Sequence, residues 1–107
     1  SLNGDAGATV TSDGTVARVA PTGWHKAGSM FTTSLVDVTT FSSYFRFRIS
    51  DTGGEVGDAN TEPGADGIVF VVQKTGPTVG VSGFGIGYEG IGNSVGVEFD
   101  TWANVLN

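Results

Sequence analysis

The stretch Ser94–Asn104, SVGVEFDTWAN, carries two carboxylates, Glu98 and Asp100, separated by a single phenylalanine. In an extended chain the side chains at i and i+2 project from one face, roughly 6–7 Å apart. Two negative charges so placed beside apolar neighbours raise each other's pKa and oppose folding. A divalent cation between them removes the conflict, and hard carboxylate oxygens are the ligands that Ca²⁺ and Mn²⁺ take. Asn104, two residues past Trp102, adds a further oxygen where the strand ends. The competing explanation is a pair of solvated charges beside Lys or Arg. Cations are scarce here, however: Lys and Arg total 5 against 11 Asp and Glu. The pair is therefore read as a metal grip.

The elements that must position this pair are strands. Period two puts Val95, Val97, Phe99 and Thr101 on one face of the final strand, and Gly96, Glu98, Asp100 and Trp102 on the other. GIVFVVQ (Gly67–Gln73) is continuously apolar, as a strand buried on both faces would be. FSSYFRFRIS (Phe41–Ser50) alternates cleanly, with Phe45, Phe47 and Ile49 facing one way and Tyr44, Arg46 and Arg48 the other, which predicts a half-buried antiparallel strand. ATVTSDGTVARVA predicts a hairpin turning near Asp13-Gly14. Met30–Val38 is a weaker strand or pair of strands. Asp51–Gly67 reads as a long polar loop, and Lys74–Asn93 as a glycine-rich excursion. Nothing asks for a long helix, so the fold class is all-β, a sandwich or barrel.

Composition narrows the function. The 18 glycines among 107 residues follow no three-residue period and sit between apolar runs, as turn residues do. With no cysteine there is neither a disulfide framework nor a zinc–thiolate site. A net charge of −6 argues against nucleic acid or an anionic membrane surface and suits a protein that binds cations. No apolar run approaches the roughly 20 residues of a membrane span. The one histidine, His25 in GWHKAG, reads as a surface or loop residue.

GADGIVFVVQ, a glycine-rich loop ending GFGIGYEGIGNS, and then VGVEFDTWAN resemble the legume-type lectins in order and spacing. GTVARVA, GSMFTTSLVDV and FSSYFRFRIS look like that family's early strands. The resemblance spans nearly the whole chain, so residues 1–107 are expected to form the N-terminal part of one such domain. It implies a concanavalin-like jelly-roll of two antiparallel sheets, of which this chain is about half. The family pattern continues past Asn104 with a second Asp and a His, so the chain is expected to be either a fragment of the domain or one of two chains, the second supplying the rest.

The resemblance also implies the site. Glu98 and Asp100 would hold a transition metal, usually Mn²⁺, with Asp100 bridging to Ca²⁺. Trp102 would give calcium its backbone carbonyl, and Asn104 its side-chain oxygen. Asp66, after a cis peptide from Ala65, would accept hydrogen bonds from two sugar hydroxyls, and the Asn104 amide would donate to another. A backbone N–H from the glycine-rich loop, at Gly83 or Gly85, would complete the contact. Such a constellation reads paired hydroxyls without chemistry. The expected partner is therefore a glycan, the setting secreted or cell-surface, and the assembly a homo-oligomer that gains avidity by pairing sites. Trp24, Phe84, Tyr88 and Trp102 are expected to pack in core or loop.

Two other functions compete. A glycoside hydrolase of the same fold would carry E-x-D-x-x-E on this strand, but Ala103 stands where the second Glu should be, and Glu89 lies in a loop. A structural or adhesive sandwich would keep Asp66 and Asn104 without using them.

Overall fold

The computed structural model describes residues 1–51, 64–80 and 85–102. Six strands form within them: β1 (Leu2–Gly4), β2 (Gly7–Thr11), β3 (Gly14–Arg18), β4 (Gly28–Met30), β5 (Gly67–Gln73) and β6 (Ser94–Asp100). They pair as three antiparallel ladders, β1 with β4, β2 with β3, and β5 with β6. The protein is all-β: among the described residues there is no α-helix, and hence none long and apolar enough to cross a membrane.

The hairpin forms with Thr11 opposite Gly14, so its loop residues are Ser12 and Asp13, one place earlier than the Asp13-Gly14 dipeptide suggests. Gly14 takes φ of 93°, which side chains with a Cβ rarely adopt. The Thr11 hydroxyl accepts from the Asp13 N–H at 3.1 Å and holds the turn.

The short β1–β4 ladder is fastened by side chains. Asp5 donates its N–H to the Ala27 carbonyl at 2.8 Å, accepts the Ala27 N–H at 3.1 Å, and pairs with the Lys26 ammonium at 3.2 Å. Asn3 donates to the Ser29 hydroxyl and to the Pro77 carbonyl, while Ser29 donates to the Val79 carbonyl. This sheet is thereby tied to the glycine-rich connection between β5 and β6. That connection is closed at its base by the Lys74 N–H on the Asn93 carbonyl and by the Thr75 hydroxyl on the Gly92 carbonyl.

The β5–β6 ladder is the longest, seven residues from each strand in unbroken register from Gly67 opposite Asp100 to Gln73 opposite Ser94. Directly opposed residues share a face in an antiparallel pair. One face therefore carries Ile68, Phe70 and Val72 with Val95, Val97 and Phe99, and the other carries Gly67, Val69 and Val71 with Gly96, Glu98 and Asp100. The period-two division expected of β6 is the one observed.

Two expectations are corrected here. Phe41–Ser50 forms no ladder with any described segment, and neither does Phe31–Val38 beyond the end of β4. The alternation in FSSYFRFRIS nevertheless works at the level of side chains. Phe45 stacks on Phe70 with ring centroids 5.2 Å apart and meets Phe99 edge-on at 6.2 Å, and Phe47 lies 4.8 Å from Phe99. The segment is held to the sheet by its rings and by an ion pair from Arg48 to Asp13 at 2.8 Å. Alternation specifies which side chains share a face; a strand also needs a neighbour's backbone, which no described segment offers.

Second, β5 is half-buried along Ile68–Gln73 and not enclosed on both sides. Its apolar face meets the Phe45 ring, and its other face lies beside the 85–92 turn. Each cover is partial, and no apolar side chain among the described residues is fully buried. Val95 and Val97 remain 63% and 55% exposed on the apolar face.

Candidate functional site

The end of β6 and the start of β5 meet at the two acidic residues that matter. Gly67 stands opposite Asp100, so Asp66 and Thr101 are the next pair outward. The Thr101 N–H donates to the Asp66 carbonyl at 2.8 Å, and the Thr101 hydroxyl donates to the Gly64 carbonyl at 2.8 Å. Both bonds pin Gly64–Asp66, the residues leading into β5, to the chain just beyond Asp100. The Ala65–Asp66 peptide is cis, as the lectin resemblance implies.

Glycine is required at position 67. Its φ is 143°, and a Cβ there would run into the Phe99 carbonyl oxygen and come 3.0 Å from both the Asp100 Cα and the Ile86 Cδ1. Only a residue without a side chain lets the two strands begin this close to Asp66.

The electrostatics follow from the closeness. Partial burial, and then the negative charge of Asp100, hold the Asp66 carboxyl above the usual carboxylate range. The Asp100 carboxylate accepts the Trp102 N–H at 2.8 Å through one oxygen. Glu98 is exposed on the same face, opposite Val69. Among the described residues the ion pairs are Lys26–Asp5 and Arg48–Asp13, and neither involves this face. The solvated-pair explanation for Glu98 and Asp100 therefore finds no cation in the described part of the chain. Glu98 and Asp100 offer carboxylate oxygens and Trp102 a carbonyl, donors of the chemical kind that hard divalent ions take. Among the described residues no group of three or more His, Cys, Asp or Glu side chains converges as a metal cluster.

Asn104, Gly83, Phe84 and Ala103 lie outside the described residues, as does most of the polar loop before Gly64. Gly85 is buried, and its carbonyl accepts the N–H groups of Tyr88 and Glu89 at 2.8 and 3.0 Å. Tyr88 packs as expected: its ring lies over Gly96, where a Cβ would come 3.1 Å from it, and its hydroxyl shares a hydrogen bond with the Ser94 hydroxyl at 3.3 Å. Trp24 does not. It is 57% exposed, next to the exposed His25, which takes the loop position expected of it with φ of 53°.

Thr101 went unnoticed in the sequence as a fastening residue, because period two assigns it to the face away from the carboxylates. Its backbone and hydroxyl both act across the strand end, where alternation no longer governs direction. A β-branched hydroxyl residue directly after the last carboxylate was the available signal. A cavity of about 330 Å³ between β1, β4 and the glycine-rich connection, lined by Asp5, His25, Ser29 and Thr78 among others, had no signal at all.

No family model matches this chain, and no solved structure matches it.

Proposed function

We propose that this chain is the N-terminal part of a legume-type lectin domain, which binds glycans through a metal-supported site and catalyses nothing. One observation carries the proposal: the fold ties Asp66 to the residue that follows Asp100, so the two carboxylates stand close enough for one charge to raise the pKa of the other. A chain gains nothing from pressing two carboxylates together without a counter-charge, whereas a divalent ion on Asp100 and Glu98 turns the repulsion into a held geometry.

In this proposal Glu98 and Asp100 hold a transition metal such as Mn²⁺. Asp100, the Trp102 carbonyl and the Asn104 side chain hold Ca²⁺. Asp66 accepts hydrogen bonds from sugar hydroxyls, Asn104 donates one, and a backbone N–H at Gly83 or Gly85 supplies another. Two-point recognition by a carboxylate acceptor and amide donors selects neighbouring hydroxyls and needs no covalent step. The sheets belong to a concanavalin-like jelly-roll, completed by the remainder of the domain or by a second chain, with a secreted or surface setting and paired protomers.

The test is titration calorimetry of the intact protein against D-mannose, D-galactose and N-acetyl-D-glucosamine, in calcium and manganese and again after chelation. Metal-dependent binding without turnover is the expected result. Hydrolysis of an oligosaccharide would instead make it an enzyme, and silence of the metal-replete protein towards every sugar would leave a structural module.

A further inference from the structure

We propose that Ile86 is a positioning residue for Asp66, a role that rests on the lectin function proposed above. Ile86 has φ of 48°, in the left-handed region, where a β-branched side chain is an outlier. Its neighbours on both sides are Gly85 and Gly87, and Gly87 also has positive φ, 76°. Glycine would take this conformation without strain, yet the strained position is the one that bears a side chain.

What that side chain touches gives the reason. The Ile86 Cδ1 reaches the backbone of Gly67, 3.0 Å from where a Cβ on Gly67 would stand. Gly67 follows Asp66 directly and faces Asp100 across the ladder. The space beside the Gly67 backbone, next to Asp66 in the chain, is therefore filled from the opposite loop, by a methyl group delivered through an unfavourable turn. The turn is held by the Tyr88 and Glu89 N–H groups on the Gly85 carbonyl, and the Tyr88 ring anchors it over Gly96. With Gly67 backed by Ile86 and Asp66 tied by the Thr101 N–H, the acidic residue is fixed from two sides. Backbone strain that persists because its surroundings over-determine it is concentrated at ligand clamps. Here the clamp is a single apolar contact.

The discriminating experiment uses Ile86→Gly, Ile86→Asn and Ile86→Leu in the intact protein. Each variant is measured for thermal midpoint and for calorimetric affinity towards whichever of the three sugars above binds wild type most tightly. Ile86→Gly relieves the backbone and removes the contact, so its midpoint stays level or rises while affinity drops by about ten- to a hundredfold, the scale of a misplaced binding group. Ile86→Asn, whose backbone tolerates the left-handed region, loses affinity likewise, and Ile86→Leu restores most of it. Wild-type affinity in Ile86→Gly, in a protein whose binding Asp66→Ala abolishes, overturns the positioning role and leaves the lectin function standing. A fall in affinity that only tracks a fall in midpoint also overturns it. Absence of sugar binding by wild type removes the lectin function, and this role with it.

Discussion

The Thr101 N–H donates to the Asp66 carbonyl at 2.8 Å, so the loop aspartate is attached to the strand residue immediately after Asp100. An acidic residue just before β5 is thereby held beside an acidic strand end that lies more than thirty residues away in sequence. The proposed function makes each of these residues answerable to measurement.

Asp66→Ala is expected to abolish sugar binding while leaving metal content intact, because the proposed function has Asp66 contacting the ligand and not the ions. Elemental analysis of the dialysed variant, alongside calorimetry, checks both halves. Retained affinity would place the sugar elsewhere. Asn104→Ala, in contrast, should weaken calcium and sugar together, and loss of only one would separate the two duties assigned to it.

The pH dependence has a definite sign. Burial and the Asp100 charge raise the folded Asp66 pKa above its ordinary value of 3.8. From 3.8 up to that higher value the native state binds more protons than the unfolded chain. Stability of the chelated protein therefore falls as pH rises through this interval, and stays lower above it. Asp66→Asn should flatten that segment of a plot of urea midpoint against pH. Added calcium should restore stability on the high-pH side in wild type.

Gly67→Ala should destabilise the protein by about 1–3 kcal/mol for the left-handed backbone alone, with a further cost from collision with the Phe99 carbonyl. Urea denaturation reads the sum. A variant as stable as wild type would show that the strands can part at this point without penalty.

Phe45→Ala and Phe47→Ala remove rings that stack on β5 and β6. Aromatic pairs contribute about 0.5–1.5 kcal/mol beyond area burial. Both rings remain partly exposed, at 42% and 44%, so each substitution should cost well under the 3–5 kcal/mol of a buried Phe→Ala. Hydrogen exchange offers a second readout: amides of Tyr44–Ile49, which have no ladder partner among the described residues, should exchange rapidly in wild type while those of Val69–Val72 are protected.

How far the sequence could be read depended on whether a feature was local. Alternation in SVGVEFD placed Glu98 and Asp100 on one face correctly, since side-chain direction is a property of the strand itself. The β2–β3 hairpin was legible from Asp13-Gly14 because a positive-φ glycine announces a turn, though the loop proper begins at Ser12. Partner choice was not legible. Phe41–Ser50 has the pattern of a strand but no ladder among the described residues, since hydrogen bonding depends on a second segment that the pattern does not name. The continuous apolar run of β5 suggested full enclosure, but the extent of cover is a property of what lies above it. Within the site, Glu98 and Asp100 came from spacing. Asp66 came only through resemblance, and Thr101 and Ile86 act through contacts that no periodicity encodes.

The attachment of residues 41–50 through Phe45 and Phe47 has a consequence for alignment. Two like rings at a spacing of two present the same key twice, so a slide by that interval would bring Phe47 to the seat of Phe45 and Ile49 to that of Phe47. The greasy contact would hardly distinguish the two arrangements. Arg48 does: the slide would carry its guanidinium roughly 6–7 Å along the chain direction, out of reach of Asp13, from which it now stands 2.8 Å. An exposed ion pair is weak as glue, but here it serves as the index mark that selects one setting of an otherwise repeating strap.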